Sequence, residues 1–182
     1  MALTPSTMVP LGTPAPDFAL TDARTGGTVR REDFAGRPLL VMFICNHCPY
    51  VIFVQDELDR IDADYSERVA IVAINANDVE RYPQDGPEHM KTLAAERGWS
   101  FPFLFDADQS VARAYQAACT PDLFVFDREH RLFYRGQLDD SRPGKGTPDG
   151  RDLRAALDAM LAGVAPPETQ WPSAGCNIKW KD

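Results

Sequence analysis

The 182-residue sequence has no apolar run long enough to cross a bilayer. It has no glycine-rich loop of the kind that cradles phosphate, no flavin or nicotinamide fingerprint, and no Ser/His/Asp arrangement with supporting context. Positive charge is in the minority: 19 Lys and Arg stand against 27 Asp and Glu, for a formal charge of −8 at pH 7. The basic residues are scattered among acids rather than clustered, which argues against nucleic acid or an anionic membrane surface as a partner. The opening MALTPSTMVPLGTPAPDFAL lacks a basic segment and a continuous apolar one, and four prolines interrupt it. A secretory leader is therefore not expected, and a cytoplasmic location is.

Hydrophobic residues make up 44% and charged residues 25%, enough to build a core without disulfides or metals. No repeat, low-complexity segment or linker divides the chain, so residues 1–182 are expected to form one domain, with an irregular arm at 1–15 and a tail at 164–182. Two continuous apolar runs, RPLLVMFICN (37–46) and RVAIVAINAN (68–77), have the character of strands buried on both faces. After the first, Pro49 suits an opening helical turn, and Val51, Phe53, Val54, Leu58 and Ile61 recur at helical spacing. Further helices are predicted over 87–99, across QSVARAYQA and over 150–163. Strands are predicted at FPFLFD, DLFVFD and RLFYRGQ, the last two as a hairpin, and a small hairpin is predicted around Gly26-Gly27. The alternation implies α/β layers around a mixed sheet flanked by helices.

Four cysteines in a reducing compartment read as thiols, catalytic groups or metal ligands rather than staples. Cys45 and Cys48 form a Cys-x-x-Cys at the passage from strand to helix, with Cys48 expected inside the first helical turn. Unpaired N–H groups and the helix dipole favour a thiolate there, and the spacer lets the two sulfurs exchange protons or form a small disulfide ring. This placement points to a thioredoxin-type redox pair. Half of a zinc site and two inert buried thiols are the other readings. Zinc would need more ligands than the isolated His89, His130, Cys119 and Cys176 supply, so no metal is expected. His47 would favour the reduced, ionised form if its protonated ring lay near the thiolate, or it is a solvated loop residue; Asn46 donates hydrogen bonds or tolerates the turn.

CNHCPYV, INANDVERYPQDGPEHM, TPDLFVFD, GQLDDSRP and the terminal GCNIKWK together resemble the peroxiredoxin-like, AhpC/TSA-type branch of the thioredoxin superfamily, over nearly the whole chain. The resemblance implies a thioredoxin fold with an extra N-terminal hairpin. It implies a cis Pro121 facing the dithiol, with the Thr120 backbone offered to a bound substrate strand. It also implies thiol–disulfide exchange with an exposed Cys45 as nucleophile and Cys48 resolving, or alternatively a thiol-dependent peroxidase with Cys48 as the peroxidatic residue, for which Arg113 and Arg135 are the candidate arginines. A non-enzymatic redox sensor is a further alternative. Two departures from thioredoxin stand out: Ile44 where it has Trp, and Leu39 where it has a buried acid. Cys119 and Cys176 are either additional redox thiols or packed small residues. Asn75, Asn77 and Asp78 are expected in Asx turns, and DDSRP in a solvated loop. With no cofactor motif, the dithiol would act on a protein or small-molecule disulfide, or a peroxide, and be recharged by a thiol reductant.

Overall fold

The computed structural model describes residues 3–181. In chain order its elements begin with β1 (Leu3–Pro5), β2 (Ala19–Asp22), β3 (Thr28–Arg30), β4 (Leu39–Phe43), α1 (Pro49–Tyr65), β5 (Ala70–Asn75) and α2 (Pro87–Arg97). They continue with β6 (Phe103–Phe105), α3 (Ser110–Ala114), β7 (Cys119–Thr120), β8 (Asp122–Phe126), β9 (Leu132–Gly136), α4 (Arg151–Leu161) and β10 (Ala174–Asn177).

β4 and β5 are the two apolar runs, and every residue in them is buried. They pair in parallel from Leu39↔Ala70 to Phe43↔Ile74, while the other edge of β4 pairs antiparallel with β8. The seven-stranded sheet runs β3-β2-β6-β5-β4-β8-β9 and is mixed, as the alternation of elements implies. Successive strand residues face opposite sides. Leu40, Met42 and Ile44 therefore meet the buried faces of α1, α2 and α4, and Leu39, Val41 and Phe43 meet α3 and Phe18. Each fully buried Leu, Ile or Phe contributes about 1.5–3 kcal/mol, so burial on both faces holds these strands more firmly than intrinsic propensity does.

The predicted N-terminal hairpin is present: β2 and β3 pair from Ala19↔Arg30, and β2 adds to the edge at β6. Gly26 lies in its turn at φ 76°, a backbone shape that glycine adopts without a side-chain penalty.

The two ends of the chain depart from expectation. Residues 3–5 of the supposed arm are strand β1, and the supposed tail contains β10. With β7 they form a second sheet in the order β1-β10-β7. Elements of two to four residues are too short for periodicity to reveal, and they owe their conformation to the partners they pair with. Residues 1–2 of the arm and residue 182 of the tail lie outside the described residues.

Candidate redox site at the head of the first long helix

Beyond β4 the chain continues one residue in the sheet, the Ile44 N–H donating to the Ile74 carbonyl at 3.0 Å, and then turns into α1. Cys45 lies in this turn. Cys48 is the N-cap of α1, with φ −68° and ψ 121°, one residue before the helical turn in which it was expected. Both side chains are buried, Cys45 at 1% and Cys48 at 0% exposure, so the exposed nucleophile expected at Cys45 is not found. No local pattern announces this burial, because part of the cover comes from residues over a hundred positions away.

Asp85, in the loop before α2, organises the turn. Its Oδ1 accepts the N–H groups of Asn46 at 2.9 Å and His47 at 3.2 Å, and its Oδ2 accepts His47 Nδ1–H at 2.6 Å and Asn77 Nδ2–H at 2.8 Å. The His47 ring stacks on Tyr82 at 5.3 Å, with 5° between the planes. Asn46 Oδ1 and His47 Nε2 are buried without a partner. Asn75 makes the expected side-chain turn, Oδ1 accepting from Asn77 N–H at 3.0 Å, and also donates to the Asp85 carbonyl at 2.6 Å. The sequence marked Asp85 only as part of a polar loop. A carboxylate serving donors 38 residues earlier leaves no local signal.

The Thr120–Pro121 bond is cis. Thr120 meets the dithiol on two sides, with Cys45 Sγ 3.6 Å from its Oγ1 and Cys48 Sγ 3.2 Å from its carbonyl oxygen. The strand edge expected to receive a substrate is occupied by the chain itself: β10 pairs with β7, and Cys176 stands opposite Thr120. Cys119 is buried beside the Pro121 carbonyl oxygen at 3.6 Å.

These surroundings drive the thiols apart. Cys48 is lowered from the ordinary thiol value by its hydrogen bond to Cys45, helped by Cys176, Thr120 and the Val51 N–H of the first helical turn, against the opposing effect of burial. Cys45 is raised well above that value by its bond to Cys48, then by burial and the Asp85 charge. Burial raises Cys119, with Asp122 and Cys48 adding to it. Burial first, and then Cys48, push Cys176 up to about 12. Neither His47 nor an arginine is among the leading influences on the two sulfurs. Arg113 lies over the Trp180 ring at 4.5 Å and Arg135 donates to Gln170 at 2.6 Å, so the two arginines are committed elsewhere.

DDSRP is not simply a solvated loop. Asp139 is buried and accepts the Asp149 and Gly150 N–H groups at 2.8 Å, and this loop, Tyr50, Pro121 and Ala174 line a cleft at the cis proline. Among the described residues, Cys45, His47 and Asp85 bring one sulfur, one ring nitrogen and one carboxylate oxygen within 4.8 Å of each other. Both Asp85 oxygens already accept N–H donors, which leaves that set a poor match for a metal's demand for free lone pairs.

Two thiols at a helix head, against a cis-proline loop and over a mixed α/β sheet, define a thioredoxin-fold dithiol protein. The chain belongs to the AhpC/TSA family, which its residues 11–135 match. It is 31% identical over 130 residues to the thiol-disulfide oxidoreductase ResA of Geobacillus kaustophilus, a match covering 69% of this chain and 68% of that one. It is 26% identical over 121 residues to the thiol-disulfide oxidoreductase YkuV of Bacillus subtilis, covering 65% and 80%. Among solved structures, an uncharacterized conserved protein of Geobacillus kaustophilus superposes with TM-score 0.96 at 55% identity, covering 100% of this chain and 97% of that one. A DsbE-like putative thiol:disulfide interchange protein of Chlorobium tepidum, 23% identical with TM-score 0.66 over 84% of this chain and 99% of that one, shares the fold.

Proposed function

We propose that this chain is a thiol–disulfide oxidoreductase of the peroxiredoxin-like branch, working through Cys45 and Cys48. The observation that carries this reading is the pair of adjacent thiols at the α1 N-cap whose surroundings favour charge on one and a proton on the other. The Cys48 thiolate attacks a substrate disulfide, forms a mixed disulfide and expels one substrate thiolate. Cys45 gives up its proton and attacks the Cys48 sulfur, which releases the second substrate thiol and leaves the Cys45–Cys48 disulfide. An external thiol returns the pair to the dithiol. In this order of events Cys48 attacks and Cys45 resolves; both sulfurs are buried, so the head of α1 must open to admit the substrate.

The relatives named thiol-disulfide oxidoreductases support this reading, and they support a protein or small-molecule disulfide as substrate. A Cys48 whose surroundings favour the thiolate also supports a second activity, attack on a hydroperoxide. Against it stand Cys45 in the place of the usual hydroxyl residue and the engagement of Arg113 with Trp180 and of Arg135 with Gln170.

Insulin reduction driven by dithiothreitol tests the main reading. The wild type is expected to accelerate it, and Cys48→Ser to bring it back to the rate of dithiothreitol alone. A wild type without effect, or a fully active Cys48→Ser, overturns the proposal. Hydroperoxide consumption by the same proteins measures the second activity.

A further inference from the structure

Cys48 has two sulfur neighbours. Its sulfur lies 3.2 Å from the Thr120 carbonyl oxygen, Cys45 Sγ lies 3.6 Å from Thr120 Oγ1, and Cys176 stands opposite Thr120 where β10 pairs with β7. Three thiols therefore converge on Thr120, and Cys48, which interacts with both of the others, is placed to exchange one disulfide partner for another.

Cys176 is held there by the fold. β10 lies between β1 and β7, with Leu3 opposite Cys176 on one side and Thr120 on the other. On either side of Cys176 the chain is fastened. The Ser173 hydroxyl donates to the Pro121 carbonyl at 2.6 Å, and the Ile178 N–H donates to the Ala118 carbonyl at 3.1 Å. Further on, the Lys179 N–H donates to Asn77 Oδ1 at 2.9 Å, and Gln109 Nε2 donates to the Lys179 carbonyl at 2.9 Å. Gly175 makes the close approach possible, since a Cβ there would overlap the Thr120 carbonyl oxygen. A thiol fixed in this way attacks with a high effective concentration.

We propose that Cys176 is a third redox thiol of this protein, which takes Cys48 from Cys45 by disulfide exchange and closes a Cys48–Cys176 disulfide. The step rests on the thiol–disulfide exchange proposed above, which supplies the Cys45–Cys48 disulfide. The Cys176 sulfur attacks Cys48, the new S–S bond forms as the Cys45–Cys48 bond breaks, and the proton lost by Cys176 ends on Cys45. No net oxidation occurs. Asp85 makes a charged Cys45 unfavourable, so the released thiol holds that proton. The reduced site keeps Cys176 protonated partly through the neighbouring Cys48 charge. That charge disappears once Cys48 is in a disulfide, which leaves burial as the influence that holds the proton on Cys176. The outcome is a chain whose C-terminal strand is tied covalently to the head of α1 in the oxidised state.

The test uses Cys45→Ser and the double variant Cys45→Ser/Cys176→Ser, each treated with excess 5,5′-dithiobis(2-nitrobenzoate). In Cys45→Ser the aryl adduct on Cys48 is expected to be displaced by Cys176. The products are a second aryl thiolate and a peptide-mapped Cys48–Cys176 disulfide. In the double variant the adduct persists. Retention of the adduct in Cys45→Ser overturns the proposal and leaves the Cys45–Cys48 reading intact. A Cys48 that never forms an adduct overturns both. Mildly oxidised wild type gives a check independent of variant folding: a digest containing the Cys48–Cys176 link supports the step, and only Cys45–Cys48 opposes it.

Discussion

A single carboxylate does more to shape the dithiol turn than any residue inside the Cys-x-x-Cys. Asp85 is fully buried and takes four N–H donors from Asn46, His47 and Asn77. Its removal leaves those donors unpaired in a place with little room for water. Losing one member of a buried charged network costs about 3–5 kcal/mol. Asp85→Ala is therefore expected to lower stability by about that much, read as a drop in the urea midpoint at unchanged slope. A loss below about 1 kcal/mol would mean that solvent replaces the carboxylate. His47, read from the sequence as either a modulator of the thiolate or a solvated loop residue, instead faces Asp85 and Tyr82. The acid that binds it lies 38 residues away in the chain, beyond any local pattern.

At the scale of the element, β10 is the unexpected part. Its four residues, Ala-Gly-Cys-Asn, have neither branched side chains nor alternation, so a strand could not be read from them. They become one because β1 and β7 offer an edge on each side. Gly175 sets how close that strand comes. Gly175→Ala drives a Cβ into the Thr120 carbonyl oxygen, and overpacking of this kind costs about 1–3 kcal/mol. The strand relieves it by lifting from β7. Labelling of Cys176 by iodoacetamide is expected to rise about tenfold or more, since access to a buried thiol follows the local opening equilibrium. Unchanged labelling would show that β10 is not what covers it. The long elements behave differently: α1 and β4 were legible almost to their ends because periodicity and burial coincide over many residues.

For the whole molecule, the sheet carries a titrating liability next to the cis-proline loop. Asp122 opens β8 in complete burial. Burial raises its carboxyl to about 7, although the Ala118 N–H bonds it, and its Oδ1 has no partner. The unfolded value is about 3.9, so the folded state holds a proton more tightly. This contribution to stability is present below about pH 4 and is lost as pH rises to about 7. Asp122→Asn removes it. Urea unfolding from pH 4 to 7 is expected to decline more steeply in the wild type than in the variant, by at least about 1 kcal/mol across the window. Parallel curves would clear Asp122 as the source.

Sequence alone determined the layered α/β fold, the order of its long elements and the dithiol at a strand-to-helix passage. Each of these rests on local chemistry: apolar runs, helical spacing, a proline at a helix start and two thiols at fixed separation. Tertiary structure decided what surrounds those thiols, because Thr120 reaches both sulfurs from a distant strand and Asp85 fixes the turn between them through Asn46 and His47. It also decided that the edge beside the cis proline is filled by β10 and that Cys176 adjoins Cys48, since pairing between segments more than fifty residues apart is set by the packed sheet and by nothing in either segment.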